Sequence, residues 1–461
     1  MKKKSSYSKV DPEIIEVVNL VKEKDYKKAL VLGKKLLGKS NTNEVLLNTL
    51  GIIYRRQGKF RQAEFWANEA VAQKNDFWAA HNNLGSIFHD RGDIEKAILK
   101  YHWIIEKRPN YIEARSNLAL AYKAIGNYEG SLKEYKKSLK IKKTALGEFH
   151  IALTLLSLGR FPIGWEKHEY RWSVDPLNKV NWPLEKKYLW QGEEDKKVVL
   201  WREQGIGDDI IFLSLVPEAF KKSASLVVYT LKRLIPLCER KMPGIVFKQY
   251  TGKVENEEFD YHLPMGSLPR LFRSSEKDFD RVIKGYLQAD PKRVEALRDE
   301  LGVRGKKVIG ISWKSINSLN NLKKSLTLKD FKKVFNDMDI TLVNLQYGDV
   351  DQEIREFKKE TGIDVLQCAS VDNREDLDGL AALMEVCDLV VSTSNVTIHL
   401  AGAIGKEAWV LLPYVANFWW LLDRTDSIWY PSLKLYRQKK SGDWDGITLS
   451  LREDLIKKFD K

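Results

Sequence analysis

Residues 201–212 read WREQGIGDDIIF and follow the apolar run KKVVL. A strand therefore runs into a Gly-Ile-Gly turn closed by two carboxylates. Glycines after a strand commonly let backbone approach a phosphate, but the third glycine of a dinucleotide fingerprint would fall at Ile210, and no Gly-Lys-Ser/Thr follows to make a P-loop. A carboxylate at the mouth of the turn would repel phosphate, so Asp208 or Asp209 is expected to face a different part of a substrate. The second stretch able to do chemistry is DLVVSTSNVTIHLAGAIGKEAWVLLP, residues 388–413. Its strand is expected to end at Val391. Ser392, Thr393, Ser394 and Asn395 then supply hydroxyls and an N-cap to a helix whose small face is Ala401, Gly402 and Ala403. Such a helix start presents N–H groups and a positive dipole end, which suits a phosphate or diphosphate; a well-capped helix with no ligand is the alternative. His399 lies four residues past the cap and on its own reads equally as a packed histidine.

Short β-branched runs separated by helical segments position both stretches. The runs are KKVVLW, SLVVYTL, GIVFKQY and DYHLP in a first group, then KVIGISW, ITLVNLQ, DVLQCAS, DLVVST and EAWVLLP in a second. Strands alternating with helices make parallel sheets covered on both faces, so two doubly wound lobes are expected. The charged segment DPKRVEALRDELGVRGKK bridges them. In such folds ligands bind at the carboxyl ends of the strands, which two facing lobes would bring to a shared cleft.

The N-terminal part repeats with a period of 34 residues. Leu50-Gly51, Leu84-Gly85 and Leu118-Ala119 recur in step, as do Tyr54, Phe88 and Tyr122, then Gly58, Gly92 and Gly126, then Ala63, Ala97 and Ser131. An earlier, weaker copy keeps Tyr26 and Ala29 but has Val17 and Lys24 in the glycine registers, as a terminal repeat allows. This pattern resembles the tetratricopeptide repeat. Small residues let the paired helices cross closely, and Gly58 is expected to end its helix in a left-handed cap. Asn48, Asn82 and Asn117 are candidates for gripping an extended acceptor chain on the concave face, or are ordinary polar helix residues.

The chain of 461 residues suggests two or three domains. The N-terminal basic cluster has no apolar run after it, and no apolar stretch approaches membrane-spanning length, so a cytoplasmic location is expected. The formal charge of +14 is spread as lysines among acidic residues, without an arginine stripe or RNA-binding aromatic motif; no nucleic-acid partner is expected. Three cysteines without C-x-x-C spacing and seven histidines without a ligand pair argue against structural zinc and a disulfide framework.

Repeats followed by EQGIGDDIIF, VSTSNVTIHLAGAIGK and VLLPYVANFWWLLDRTDSIWYPSLKLYRQ resemble the bacterial repeat-containing glycosyltransferases of GT-B fold. The catalytic half is similar to the heptosyltransferases, and the domain plan is similar to protein O-GlcNAc transferase. The resemblance implies an α-helical repeat solenoid followed by two Rossmann-like lobes. It implies transfer of a sugar from a nucleotide-sugar donor to a hydroxyl of a protein acceptor such as flagellin, or of a surface glycan. The boundaries that follow are a basic tail at 1–9, repeats at 10–145, a capping helix and linker at 146–192, a first lobe at 193–290, a bridge at 291–305, a nucleotide-sugar lobe at 306–440 and a tail at 441–461.

In the resembling family a Gly-Asp after the first strand holds the base, which maps to Gly207-Asp208, with Gly205 and Gly207 giving the bend. The neighbouring Asp209 leaves open which carboxylate acts. On the donor side the resemblance points to Lys314, Lys324, Gln346, Ser394, Asn395, Val396, Thr397 and His399. Asp378 is read as a helix cap or a ligand contact. The Asp-x-Asp pairs at Asp349/Asp351, Asp376/Asp378 and Asp443/Asp445 look compositional, and neither metal nor other cofactor is expected. Trp419, Trp420, Trp429 and Tyr430 either stack on ligand or bury the C-terminal tail, with Arg424 paired to Asp423 or Asp426. A repeat scaffold with an inactive catalytic half is the competing reading.

Overall fold

The computed structural model describes residues 11–37, 43–174, 182–255, 258–315 and 326–459. The chain divides into two compact units, Met1–Ile151 and Ala152–Lys461.

The first unit is a stack of helical hairpins. It contains α1 (Pro12–Lys22), α2 (Tyr26–Leu37), α3 (Glu44–Arg56), α4 (Phe60–Gln73), α5 (Trp78–Arg91), α6 (Ile94–Lys107), α7 (Ile112–Ala124) and α8 (Tyr128–Ile141). Helix α9 (Ala145–Ser157) runs across the division. The repeat registers do what their residue types predict. Leu50, Ala63, Ala97 and Leu118 are fully buried, and a Cβ on Gly51 would sit 3.2 Å from the Ala63 carbonyl of the partner helix. Gly58, Gly92 and Gly126 all adopt left-handed backbone, with φ of +72°, +102° and +78°. Lys24, which occupies the same register in the first hairpin, is forced to φ +65° as well. The turn geometry thus survives the loss of its glycine, at a steric cost that L-residues carry in this region.

The second unit begins with α10 (Phe161–His168) and then forms two parallel sheets. The first is built from β1 (Lys196–Trp201), α11 (Ile206–Leu213), α12 (Val216–Lys222), β2 (Ser223–Thr230), α13 (Ile235–Lys241), β3 (Val246–Gln249), β4 (Tyr261–Pro264) and α14 (Leu268–Phe272), with strand order β3-β2-β1-β4. The bridge is α15 (Pro291–Glu300). The second lobe contains β5 (Val308–Ser312), α16 (Lys332–Phe335), β6 (Thr341–Asn344), α17 (Asp351–Thr361), β7 (Val365–Leu366), α18 (Leu377–Val386), β8 (Leu389–Thr393), α19 (Val396–Ile404), β9 (Ala408–Leu412), β10 (Leu433–Arg437) and α20 (Asp445–Phe459). Its six strands run in the order β10-β9-β8-β5-β6-β7, every pair parallel.

Side-chain alternation explains the covering of both faces. In the second sheet Val308, Val390, Ala408 and Val410 join one apolar cluster, while Ile309, Ile311, Leu389, Val391, Trp409 and Leu411 join another with Phe331, Phe357 and Leu451. Strands buried on both sides read as the continuous apolar runs seen in the sequence. The first of these clusters also takes in Val198, Leu200, Ile210 and Phe212, so one apolar core is continuous through both lobes. Two expectations are corrected here. β10, in the segment SLKLYRQ, adds a sixth strand that the alternation pattern had not singled out. β8 continues through Thr393, so Ser392 and Thr393 are buried strand residues and do not stand at the helix start. No described helix is long and apolar enough to cross a membrane.

Candidate functional site

The turn after β1 bends at Gly205, which is extended and serves as N-cap of α11. The half-buried Asp208 stands in the first helical turn, where its carboxylate accepts the Gly205 N–H at 3.3 Å. Burial pushes its pKa up from 3.8 to about 6, with the neighbouring Glu203 raising it further, against the lowering from the Gly205 hydrogen bond and Arg202. Asp209 is placed differently. Its carboxylate is buried and in direct contact with the Arg202 guanidinium, and burial raises its pKa against the opposing pull of Arg202. The two adjacent carboxylates are thus separated in role: one is committed to an internal ion pair, and the other faces outward from the helix start.

A buried brace sets the strand end before this turn. Arg171 donates from Nε and Nη2 to both oxygens of Glu203 at 2.7 Å, and Glu203 also accepts the Gly266 N–H at 2.9 Å. Ser267 and Glu169 complete the network. Neither Arg171 nor Glu203 was singled out from sequence; the signal available was two charged residues inside otherwise apolar surroundings, which must pair when buried.

Helix α11 packs against α19, so the turn after β1 and the turn after β8 meet. Gly207 lies at this contact, where a Cβ would be 3.3 Å from the His399 ring. Asn395 caps α19, accepting the Ile398 N–H at 3.4 Å while its amide donates to Ser312 Oγ at 2.8 Å and the Lys314 carbonyl at 3.3 Å. The cap residue therefore ties the helix start to the end of β5. N–H groups of the first helical turn, here Val396 and Thr397, have no intrahelical acceptor by geometry. Ser394 and Val396 are partly exposed, whereas the Thr397 side chain is buried with its hydroxyl 3.5 Å from the Leu345 carbonyl.

His399 is buried, stacked on Trp420 at 5.3 Å and 17°, and its Nδ1 is 3.0 Å from the Tyr430 hydroxyl. Burial lowers its pKa to about 4, so the ring is neutral at pH 7. Trp420 donates its indole N–H to Ser394 Oγ at 2.8 Å. Tyr430 rests on Gly402, where any Cβ would collide with its ring, which is why the helix face there is small. Trp419, Trp420, Trp429 and Tyr430 are all buried, and Arg424 pairs with Asp426 at 2.6 Å. The aromatic segment thus packs against the lobes and also shapes the site.

Other sequence candidates are placed less favourably for ligand. Gln346 is buried; its carbonyl oxygen accepts from Ser312 Oγ and the N–H groups of Trp313 and Lys314 at 2.9–3.0 Å, and its amide donates to the Tyr347 carbonyl at 3.1 Å. That side chain holds the chain end of β5 and presents no spare atoms. Lys314 Nζ is 2.7 Å from Glu353, which also accepts Trp313 Nε1. Lys324 lies outside the described residues. Asp376 caps α18 and pairs with Arg293, while Asp378 is held bidentately by Arg240 at 2.6–2.7 Å; the cap is two residues earlier than the sequence reading allowed. A cavity of about 590 Å³ lies between the carboxyl end of the first sheet, at Lys232, Arg233 and Tyr250, and the start of α18. Among the described residues no cluster of three or more His, Cys, Asp or Glu side chains is arranged to hold a metal ion.

In the helical unit the three asparagines are part of paired rungs. Asn83 donates to Asn48 at 3.1 Å, and Asn117 donates to Asn82 at 3.0 Å. Asn83, one register later than the predicted set, was missed because only one of the two adjacent registers was followed along the repeat.

Comparison with known proteins matches residues 112–161 to the tetratricopeptide repeat family, and with the 34-residue period this makes the N-terminal unit a tetratricopeptide array. Protein FlbA of Caulobacter vibrioides is 30% identical over 392 residues, spanning 79% of this chain. The chain spans 64% of the length of that curated relative. Among solved structures, a tetratricopeptide protein of Thermus thermophilus is 18% identical, with a TM-score of 0.33, covering 36% of this chain and 90% of that one. PilF of Pseudomonas aeruginosa is 14% identical, with a TM-score of 0.34, covering 50% and 91% respectively.

Proposed function

We propose that the chain is a nucleotide-sugar-dependent glycosyltransferase of GT-B type, whose tetratricopeptide array presents a protein acceptor. The observation that carries this reading is the meeting of α11 and α19, which joins a proton-accepting carboxylate after β1 to a capped, anion-compatible helix start after β8. Asp208 takes the proton of the acceptor hydroxyl as its oxygen attacks the anomeric carbon. The bond from that carbon to the donor phosphate breaks, and the nucleotide leaves with the electron pair. A carboxylate with a pKa near 6 is a stronger base than an ordinary aspartate and is still ionised at pH 7. Charge growing on the leaving phosphate is met by the Val396 and Thr397 N–H groups and the dipole of α19. Lys314 joins them only by leaving Glu353.

A binding-only lobe beneath a protein-interaction array is the second reading, favoured by the Asp208 contact with Gly205, which a simple helix cap would also make. A thermal-shift panel of UDP, GDP, ADP, CMP and their sugars tests the donor half of the proposal. One member present at a hundred times its dissociation constant should stabilise the second unit by about 2.7 kcal/mol. A panel with no stabilising member refutes a nucleotide-sugar site.

A further inference from the structure

The hydrogen bonds behind α19 fix more than a ring position, because each donor in them has a single proton. Tyr286 donates its hydroxyl to the Ile210 carbonyl at 2.7 Å, and a carbonyl can only accept. Tyr430 is hydrogen-bonded to Tyr286. With the Tyr286 proton already used, Tyr430 must be the donor in that bond. The Tyr430 proton is then used as well, so the 3.0 Å contact with His399 requires the histidine to donate from Nδ1. A ring with one proton on Nδ1 carries a lone pair on Nε2.

That nitrogen faces the turn after β1: a Cβ placed on Gly207 would lie 3.8 Å from it. Among the described residues no hydrogen bond is made at Nε2, while the opposite face of the ring system is occupied by Trp420 and Tyr430. A lone pair cannot donate to phosphate oxygen and would repel it. It can accept from O–H.

We infer that Tyr286 and Tyr430 lock His399 as the Nδ1–H tautomer, so that its bare Nε2 accepts a hydrogen bond from a substrate hydroxyl at the contact between α11 and α19 and does not bind phosphate. His399 is then the residue that reads a hydroxyl next to Asp208, and the two tyrosines are positioning residues. This separates it from Ser394, Asn395, Val396 and Thr397, with which its sequence position grouped it. The identity of the hydroxyl rests on the glycosyltransferase reading; the tautomer does not. The hydroxyl belongs either to the donor sugar or to the acceptor, and both offer the same chemistry to Nε2. The low pKa of the ring agrees with an acceptor that orients a hydroxyl while the stronger base, Asp208, removes its proton.

Long-range ¹H–¹⁵N correlation on the full chain labelled at histidine nitrogen tests the tautomer, with His399→Gln supplying the assignment. The expected spectrum at neutral pH has a protonated-type Nδ1 and an unprotonated-type Nε2 for His399, and Tyr430→Phe, which removes the acceptor of the Nδ1 proton, should shift both resonances. A protonated Nε2 in the wild type overturns the inference. The second arm compares His399→Leu with His399→Gln, whose side-chain oxygen restores an acceptor near the Nε2 position. Affinity for the free nucleotide, measured by calorimetry, should stay within threefold in both. KM for one substrate should rise at least tenfold in the leucine variant and recover in the glutamine variant, and whether the donor or the acceptor KM moves tells which hydroxyl is read. A tenfold loss of free-nucleotide affinity in His399→Leu would assign the ring to phosphate and defeat the proposal. A chain that binds and turns over no nucleotide-sugar yet shows the Nδ1–H tautomer would refute the functional reading while supporting the tautomer lock.

Discussion

Replacing Asp208 by Asn separates a working base from a structural cap, because the two roles predict opposite combinations of stability and rate. Asn keeps an oxygen for the Gly205 N–H, so the helix cap is retained. What is lost is the charge. In the folded chain the Asp208 pKa is about 6, against an ordinary 3.8. The folded state therefore holds this proton more tightly than the unfolded state does. Stability associated with the group is full below about pH 4, where both states are protonated, and falls as the pH rises through about 6. The interval corresponds to about 3 kcal/mol at ~1.4 kcal/mol per pH unit, and partial exposure of the side chain reduces it to about 1–2 kcal/mol. At pH 8 the Asn variant should thus melt higher than the wild type, by about 2–3 °C for a unit of this size. The difference should vanish at pH 4. Transfer should meanwhile fall by about a hundredfold to ten-thousandfold. Melting curves at pH 4, 6 and 8 alongside initial rates decide the matter: equal melting temperatures at every pH with an unchanged rate would mean that Asp208 only caps α11.

Three further outcomes follow from the same geometry. Asp209→Asn leaves the Arg202 guanidinium without its buried partner and should destabilise the fold by about 3–5 kcal/mol in denaturant titration, so a loss under 1 kcal/mol would show that the pair is dispensable. The acid limb of kcat/KM should lie near pH 6, set by Asp208, with activity rising as the pH increases through that value; a limb near pH 4 would point to another base. Lys24→Gly should stabilise the first hairpin by about 1 kcal/mol, since Lys24 has φ +65° where the other repeats use glycine, and a melting measurement showing a loss would contradict that account.

The repeat unit was legible because five registers recur at one spacing and each maps to a single structural demand, a close crossing, a seam or a left-handed turn. Even the exception was readable: Lys24 could be placed in the glycine register before its φ was known. The parallel sheets were equally legible from apolar runs such as KVIGISW and DLVVST, since burial on both faces removes polar alternation. β10 escaped because LKLYR sits at the sheet edge, where Lys434 and Arg437 interrupt the apolar run. At the site, residue types were found but allegiances were not. Gln346 and Lys314 lie at strand ends as expected, yet their partners, Ser312 and Glu353, come from other segments of the chain. The Arg171–Glu203 brace and the Tyr286–Tyr430–His399 chain join residues far apart in sequence, and no local pattern encodes such pairings.

The central claim, that this cleft moves a sugar from a nucleotide onto a protein, is tested most directly by label transfer. The nucleotide-sugar that stabilises the protein is supplied with a radiolabelled sugar, together with extract proteins from cells lacking this chain. The account predicts that the wild type places label on a protein band and releases free nucleotide in equal amount, whereas Asp208→Asn binds the donor and does neither. A bound nucleotide-sugar from which no label reaches protein would contradict it.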